Sequence, residues 1–107
     1  DRIFFATNKS SLTTASRATL RKQATYLRKN KNLSVTIEGH ADERGTREYN
    51  LALGERRANA AKDYLMTYGI SGKRISVISY GKEKPVNPAS TPLAWSQNRR
   101  SVTVKVN

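Results

Sequence analysis

A chain of 107 residues suits one domain with a modest core, and its 36% hydrophobic content includes no apolar run of the ~20 residues needed to span a bilayer. Twenty Lys+Arg against eight Asp+Glu give a net charge of +12, which favours an anionic partner or a heavily solvated surface. The lack of cysteine excludes disulfides and thiolate metal sites.

The chain opens at Asp1 on strand-like Arg2-Ile3-Phe4-Phe5 with no signal segment ahead of it, which reads as a piece of a longer protein. Ala6 to Ser11 is polar and turn-like. From about Thr13 to Lys31 the pattern is helical, with Leu20, Ala24 and Leu27 on one stripe. Ser11, Thr13 and Thr14 are candidate caps. Arg17, Arg21, Lys22, Arg28, Lys29 and Lys31 cover the rest of this helix, as a solvated face.

Leu33 to Glu38 alternates apolar and polar residues, as a half-buried strand does, and Gly39 is read as its end. A second helix is expected from about Glu48 to Tyr68. Tyr49, Leu53, Ala61, Tyr64 and Tyr68 lie on its apolar stripe, and Arg57 falls on the same stripe. A guanidinium there requires a partner. Gly69 reads as the C-terminal stop.

Ile75, Val77, Ile78 and Tyr80 form a third strand after the turn Ser71-Gly72-Lys73. Residues 81–92 hold all three prolines and read as a loop. A helical turn containing Trp95 follows, and then a last strand in which Val102, Val104 and Val106 alternate with Thr103 and Lys105. No repeat or linker divides residues 1–107, so they read as one domain. The order β-α-β-α-β-(turn)-β predicts a two-layer α/β sandwich.

The stretch Glu38 to Ala61, EGHADERGTREYNLALGERRANAA, carries the chemistry. His40 is the single histidine, and with Asp42 two positions on it makes neither a triad nor a recognised metal pair. No phosphate-cradling glycine motif occurs. The expectation is a non-enzyme without cofactor or metal. A basic sandwich also suits an RNA-binding module, but that class stacks bases on sheet aromatics. The non-core positions Ser34, Thr36, Ser76 and Thr103 carry none, so nucleic acid is not the expected partner. The third reading is recognition of a small zwitterion. Asp42 would accept from an ammonium, and the Arg57 fork would hold a carboxylate. An internal Asp42–Arg57 salt bridge accounts for the same spacing equally well.

GHADERGTREYNLALGERRANA resembles the signature of OmpA-like peptidoglycan-binding domains, most closely the lipoprotein branch of that family. Ile3-Phe4-Phe5, Ser79-Tyr80-Gly81-Lys82-Glu83-Lys84-Pro85 and Ser96-Gln97-Asn98-Arg99-Arg100 agree as well, so the resemblance runs from about Ile3 to Val106. It implies an α+β fold with a mixed four-stranded sheet packed on two main helices. It also implies a ligand, the meso-diaminopimelate group of the peptidoglycan stem peptide, held without cleavage. The family's ligand positions match Asp42, Arg57, Arg44, Leu53, Thr7 and Asn8. Lipoprotein members tie the outer membrane to the wall through an N-terminal lipid anchor, which this chain lacks, and engage TolB and other Tol proteins. That places the domain in the periplasm. Outer-membrane porins and flagellar stators with similar C-terminal domains are the alternatives within the family. These lipoproteins usually read phenylalanine-aspartate at Thr7-Asn8, and commonly aspartate at Ala6. The departure bears on affinity, not on fold.

Overall fold

The computed structural model describes residues 1–106. The elements run β1 (Arg2–Phe4), α1 (Thr14–Lys29), β2 (Val35–His40), α2 (Arg47–Thr67), a 3-10 turn (Gly72–Arg74), β3 (Ile75–Gly81), α3 (Pro92–Asn98) and β4 (Arg100–Lys105). One mixed sheet has the order β1-β4-β2-β3. β2 and β3 are parallel, with α2 in their crossover, while β4 runs antiparallel to both β1 and β2. This is the expected α+β sandwich with a mixed four-stranded sheet. α3 is a short helix in place of a single turn.

Each helix starts on a threonine whose hydroxyl accepts an otherwise orphaned N–H. Thr13 takes Ser16 N–H at 3.0 Å, Thr46 takes Tyr49 N–H at 3.1 Å, and Thr91 takes Ala94 N–H at 3.2 Å. α2 ends on Gly69 at φ 87, with Ile70 N–H reaching the Leu65 carbonyl at 3.3 Å. That left-handed residue suits glycine, and Ile70 then turns into the core. α1 and α2 bury Leu20, Ala24, Leu27, Ala58, Ala61 and Leu65 against Val35, Ile37 and Ile75 of the sheet.

Three local expectations need correction. Gly39 does not end β2, which continues through it to His40. The residue is there for close approach: a Cβ on Gly39 would overlap the Gly54 carbonyl oxygen, and one on Gly54 would overlap Ser79 Oγ. Helix α2 therefore lies backbone-to-backbone on β2 at this point. Tyr49 is 42% exposed and not part of the buried stripe, because the first turn of α2 borders a cavity and not the sheet.

The third correction concerns β4. Register sets Ile37 opposite Thr103 and Glu38 opposite Val102. Ile37 is fully buried beneath the helices, so Thr103 faces them too, and its hydroxyl donates to Gln23 Oε1 of α1 at 2.9 Å. Val102 and Val104 lie on the open face. Phe4, paired with Arg100, also lies there and is 48% exposed. The open face is thus not free of aromatics. Tyr80, on the same face, is covered by the His40 ring at 5.5 Å and by Lys84 Nζ at 3.9 Å.

Candidate functional site

Three segments meet beyond the C-terminal end of β2: the turn from Ala6 to Lys9, the loop 41–46 and the start of α2. They enclose a cavity of about 310 Å³. Thr7, Asn8, Asp42, Arg44, Leu53 and Arg57 all line it, joined by Gly45, Tyr49 and Asn50. The six residues singled out from sequence therefore come together in one place.

Arg57 reaches the cavity from α2, buried to 0% exposure. Its Nε donates to the Lys9 carbonyl at 2.8 Å, Nη1 to the His40 carbonyl at 2.9 Å, and Nη2 to the Ala6 carbonyl at 3.1 Å. One guanidinium thus ties the first loop to the end of β2. Both terminal nitrogens keep a further N–H. Burial lowers the Arg57 pKa to about 10, Arg99 pushes the same way, and Asp42 opposes them. The group stays charged at neutral pH.

The first loop needs that grip. Lys9 N–H closes a turn on the Ala6 carbonyl at 3.1 Å, and Asn8 sits inside it at φ 56. Asparagine is among the few side chains that adopt this left-handed conformation readily. Arg57 bonds the carbonyls at both ends of the turn and so sets where Thr7 and Asn8 stand.

Asp42 bonds Arg44 and Arg99, not Arg57. Oδ1 accepts Arg44 N–H at 3.0 Å and Arg44 Nε at 3.1 Å; Oδ2 accepts Arg44 Nη2 at 2.8 Å and Arg99 Nη1 at 3.4 Å. Burial alone would raise the Asp42 carboxyl, but the hydrogen bonds from Arg44 and then Arg99 outweigh it and hold the group below its ordinary range. The internal Asp42–Arg57 salt bridge is therefore replaced by a different pairing. Arg99 escaped the sequence reading as a site residue: it lies 57 positions from Asp42, in a segment that agrees with the family but has no part in the site the resemblance implies.

Loop 41–46 is braced from behind. Trp95 Nε1 donates to Glu43 Oε2 at 2.8 Å, and the Arg44 guanidinium lies 4.2 Å from the Trp95 ring centroid. Asn50 Nδ2 donates to the Arg44 carbonyl at 2.8 Å. A carboxylate and several guanidinium groups, fixed at the mouth of a partly apolar cavity, can sort a small ligand by the placement of its charges. Among the described residues no group of three or more His, Asp or Glu side chains is placed to hold a metal ion.

The pattern of the OmpA family matches residues 4–99. Over 104 residues the chain is 60% identical to the peptidoglycan-associated lipoprotein of Rhizobium meliloti, covering 97% of this chain and 59% of that protein. It spans about three-fifths of the length of the curated relatives it matches. The crystal structure of the peptidoglycan-associated lipoprotein from Burkholderia pseudomallei is 37% identical with a TM-score of 0.96, covering 98% of this chain and 89% of that one. The C-terminal domain of Helicobacter pylori MotB shares the fold at 19% identity, with a TM-score of 0.91 over 100% of this chain and 84% of that one.

Proposed function

The chain belongs to the OmpA family, and from that premise we propose that it is a non-catalytic peptidoglycan-binding domain that ties the outer membrane to the cell wall. Residues 1–107 act as one binding unit. The ligand is the meso-diaminopimelate group of the stem peptide, whose side chain ends in an ammonium and a carboxylate on one carbon.

The observation that carries this reading is the single cavity lined by Asp42, Arg44 and Arg57 together with Leu53. Asp42 takes the ammonium. The uncommitted N–H groups of Arg57 take the carboxylate, as a planar fork suits such a group. Leu53 packs on the aliphatic stem. Thr7 and Asn8 close the pocket from the first loop. Relatives named peptidoglycan-associated lipoprotein support both the ligand class and the assignment to the periplasm, next to a lipid-anchored outer-membrane attachment. TolB and other Tol proteins are the protein partners that go with that assignment.

The test is co-sedimentation with purified peptidoglycan, challenged by a diaminopimelate muropeptide and separately by RNA. Release by the muropeptide and not by RNA is expected. Release by RNA alone would transfer the domain to the nucleic-acid class.

A further inference from the structure

The Asp42 carboxylate has no vacant side. A carboxylate offers about four lone-pair directions. Here they are taken by the Arg44 backbone N–H, Arg44 Nε, Arg44 Nη2 and Arg99 Nη1. An ammonium entering the cavity must displace one of them. The Arg44 N–H is part of the loop backbone. Arg99 has a side chain only 14% exposed and is held a second time, through Nε, by the Phe5 carbonyl at 2.9 Å. The Arg44 guanidinium is different. Its side chain is 41% exposed, and its other holds are the Trp95 face and Thr7 Oγ1 at 3.4 Å. It is the partner able to leave.

We infer that Arg44 is an internal stand-in for the ligand's ammonium, and that the ligand enters by exchanging partners with the Asp42–Arg44 pair. The ammonium takes Asp42, and the released guanidinium joins Arg57 on the ligand's carboxylate. This rests on the peptidoglycan reading above.

The exchange makes specificity depend on two charges at once. A zwitterion leaves every group paired: Asp42 with ammonium, Arg44 with carboxylate. A ligand with only the ammonium breaks the resident pair and returns nothing to Arg44. A ligand with only the carboxylate draws the Arg44 guanidinium away and leaves Asp42 to Arg99 and the Arg44 backbone N–H. Arg44 is thus a specificity-determining residue, acting through competition as well as contact.

The experiment is calorimetric titration of wild type, Arg44→Gln and Arg44→Lys with two stem peptides, one carrying diaminopimelate and one carrying lysine. Arg44→Gln removes the competitor, so the lysine peptide should bind about tenfold tighter than to wild type, the worth of one hydrogen bond to a charged group. The diaminopimelate peptide should gain less than the lysine peptide, because its carboxylate loses a partner as the competitor goes, so the preference for diaminopimelate narrows. Arg44→Lys keeps a competing cation and should leave the lysine peptide weak. An unchanged preference in Arg44→Gln, or an equal loss for both peptides, overturns the exchange and leaves the peptidoglycan reading intact. Failure of wild type to bind the diaminopimelate peptide overturns both.

Discussion

Arg57 and Lys9 are 48 residues apart in the chain, yet Arg57 Nε donates to the Lys9 carbonyl at 2.8 Å. With the bonds to Ala6 and His40, this makes Arg57 a brace as well as a ligand group. Arg57→Ala would take one donor from each of three carbonyls, the Ala6 carbonyl keeping the Lys9 N–H, and should cost on the order of 3 kcal/mol of stability. Peptide binding should be abolished with it. Arg57→Lys reaches fewer of the three carbonyls and should recover less than half of the stability. Urea unfolding at neutral pH measures the first effect and peptide titration the second. A folded Arg57→Ala protein of wild-type stability would refute the brace.

Asp42→Asn keeps the shape of the side chain and removes its charge. Loss of the ammonium partner should weaken ligand binding by ~2–5 kcal/mol. Stability should respond to pH in a defined window. The folded carboxyl lies below its ordinary value, so its contribution is complete above about pH 4 and is lost as pH falls through the lower folded value. The stability gap between wild type and Asp42→Asn should hold steady from about pH 7 to 5 and close below about 4. A gap that does not vary down to pH 2.5 would contradict the pairing with Arg44 and Arg99.

Position 8 offers a gain of function. Asn8 lines the cavity at φ 56, a conformation that aspartate also adopts. Asn8→Asp adds a charge on the side where the ammonium enters and should tighten binding by roughly 0.5–1.5 kcal/mol. The gain should shrink as salt rises. Repulsion from Asp42 in the empty cavity opposes it, and an ammonium lying between the two carboxylates relieves that repulsion. Weaker or unchanged binding would mean that the first loop does not approach the amine.

His40 provides a separate pH signature. Its ring is buried, bonds Glu38 Oε1 at 3.1 Å, stacks on Tyr80, and feels Arg100 and Lys84. Burial, followed by Arg100, lowers its pKa, and Glu38 only partly offsets them. The unfolded chain therefore takes up a proton near the ordinary value of about 6.5 before the folded one does. Wild-type stability should fall as pH drops from 7.5 to 5, by no more than ~1.4 kcal/mol per pH unit. His40→Gln should be flatter over that range. Parallel profiles for the two proteins would show that His40 does not titrate differently on folding.

The helices were the most legible part of the sequence. Leu20, Ala24 and Leu27 mark the buried stripe of α1, and all three are core residues. Alternation in β4 was equally visible, but it distinguishes two faces without saying which one the helices cover. That is decided by Ile37 lying opposite Thr103, a pairing between distant strands. The site shows the same division. Arg57 on an apolar stripe announced that it required partners. Those partners are backbone carbonyls, which leave no trace in a sequence, and Arg99 reaches Asp42 from 57 positions away.

The contact between Gly39 and Gly54 has a consequence for how this protein can change over time. Arg57 follows Gly54 by three residues, so the seating of its guanidinium is gauged from a contact of main chain on main chain. A contact between two main chains keeps the same spacing whatever side chains surround it. Substitution at Leu20, Leu27 or Leu65 is then chiefly a question of stability, and drift in the core need not retune the cavity. Any side chain at Gly39 or Gly54 would lift α2 and carry Arg57 away from the first loop. Two residues with no side chain thus let the hydrophobic interior diversify while the binding end keeps its dimensions.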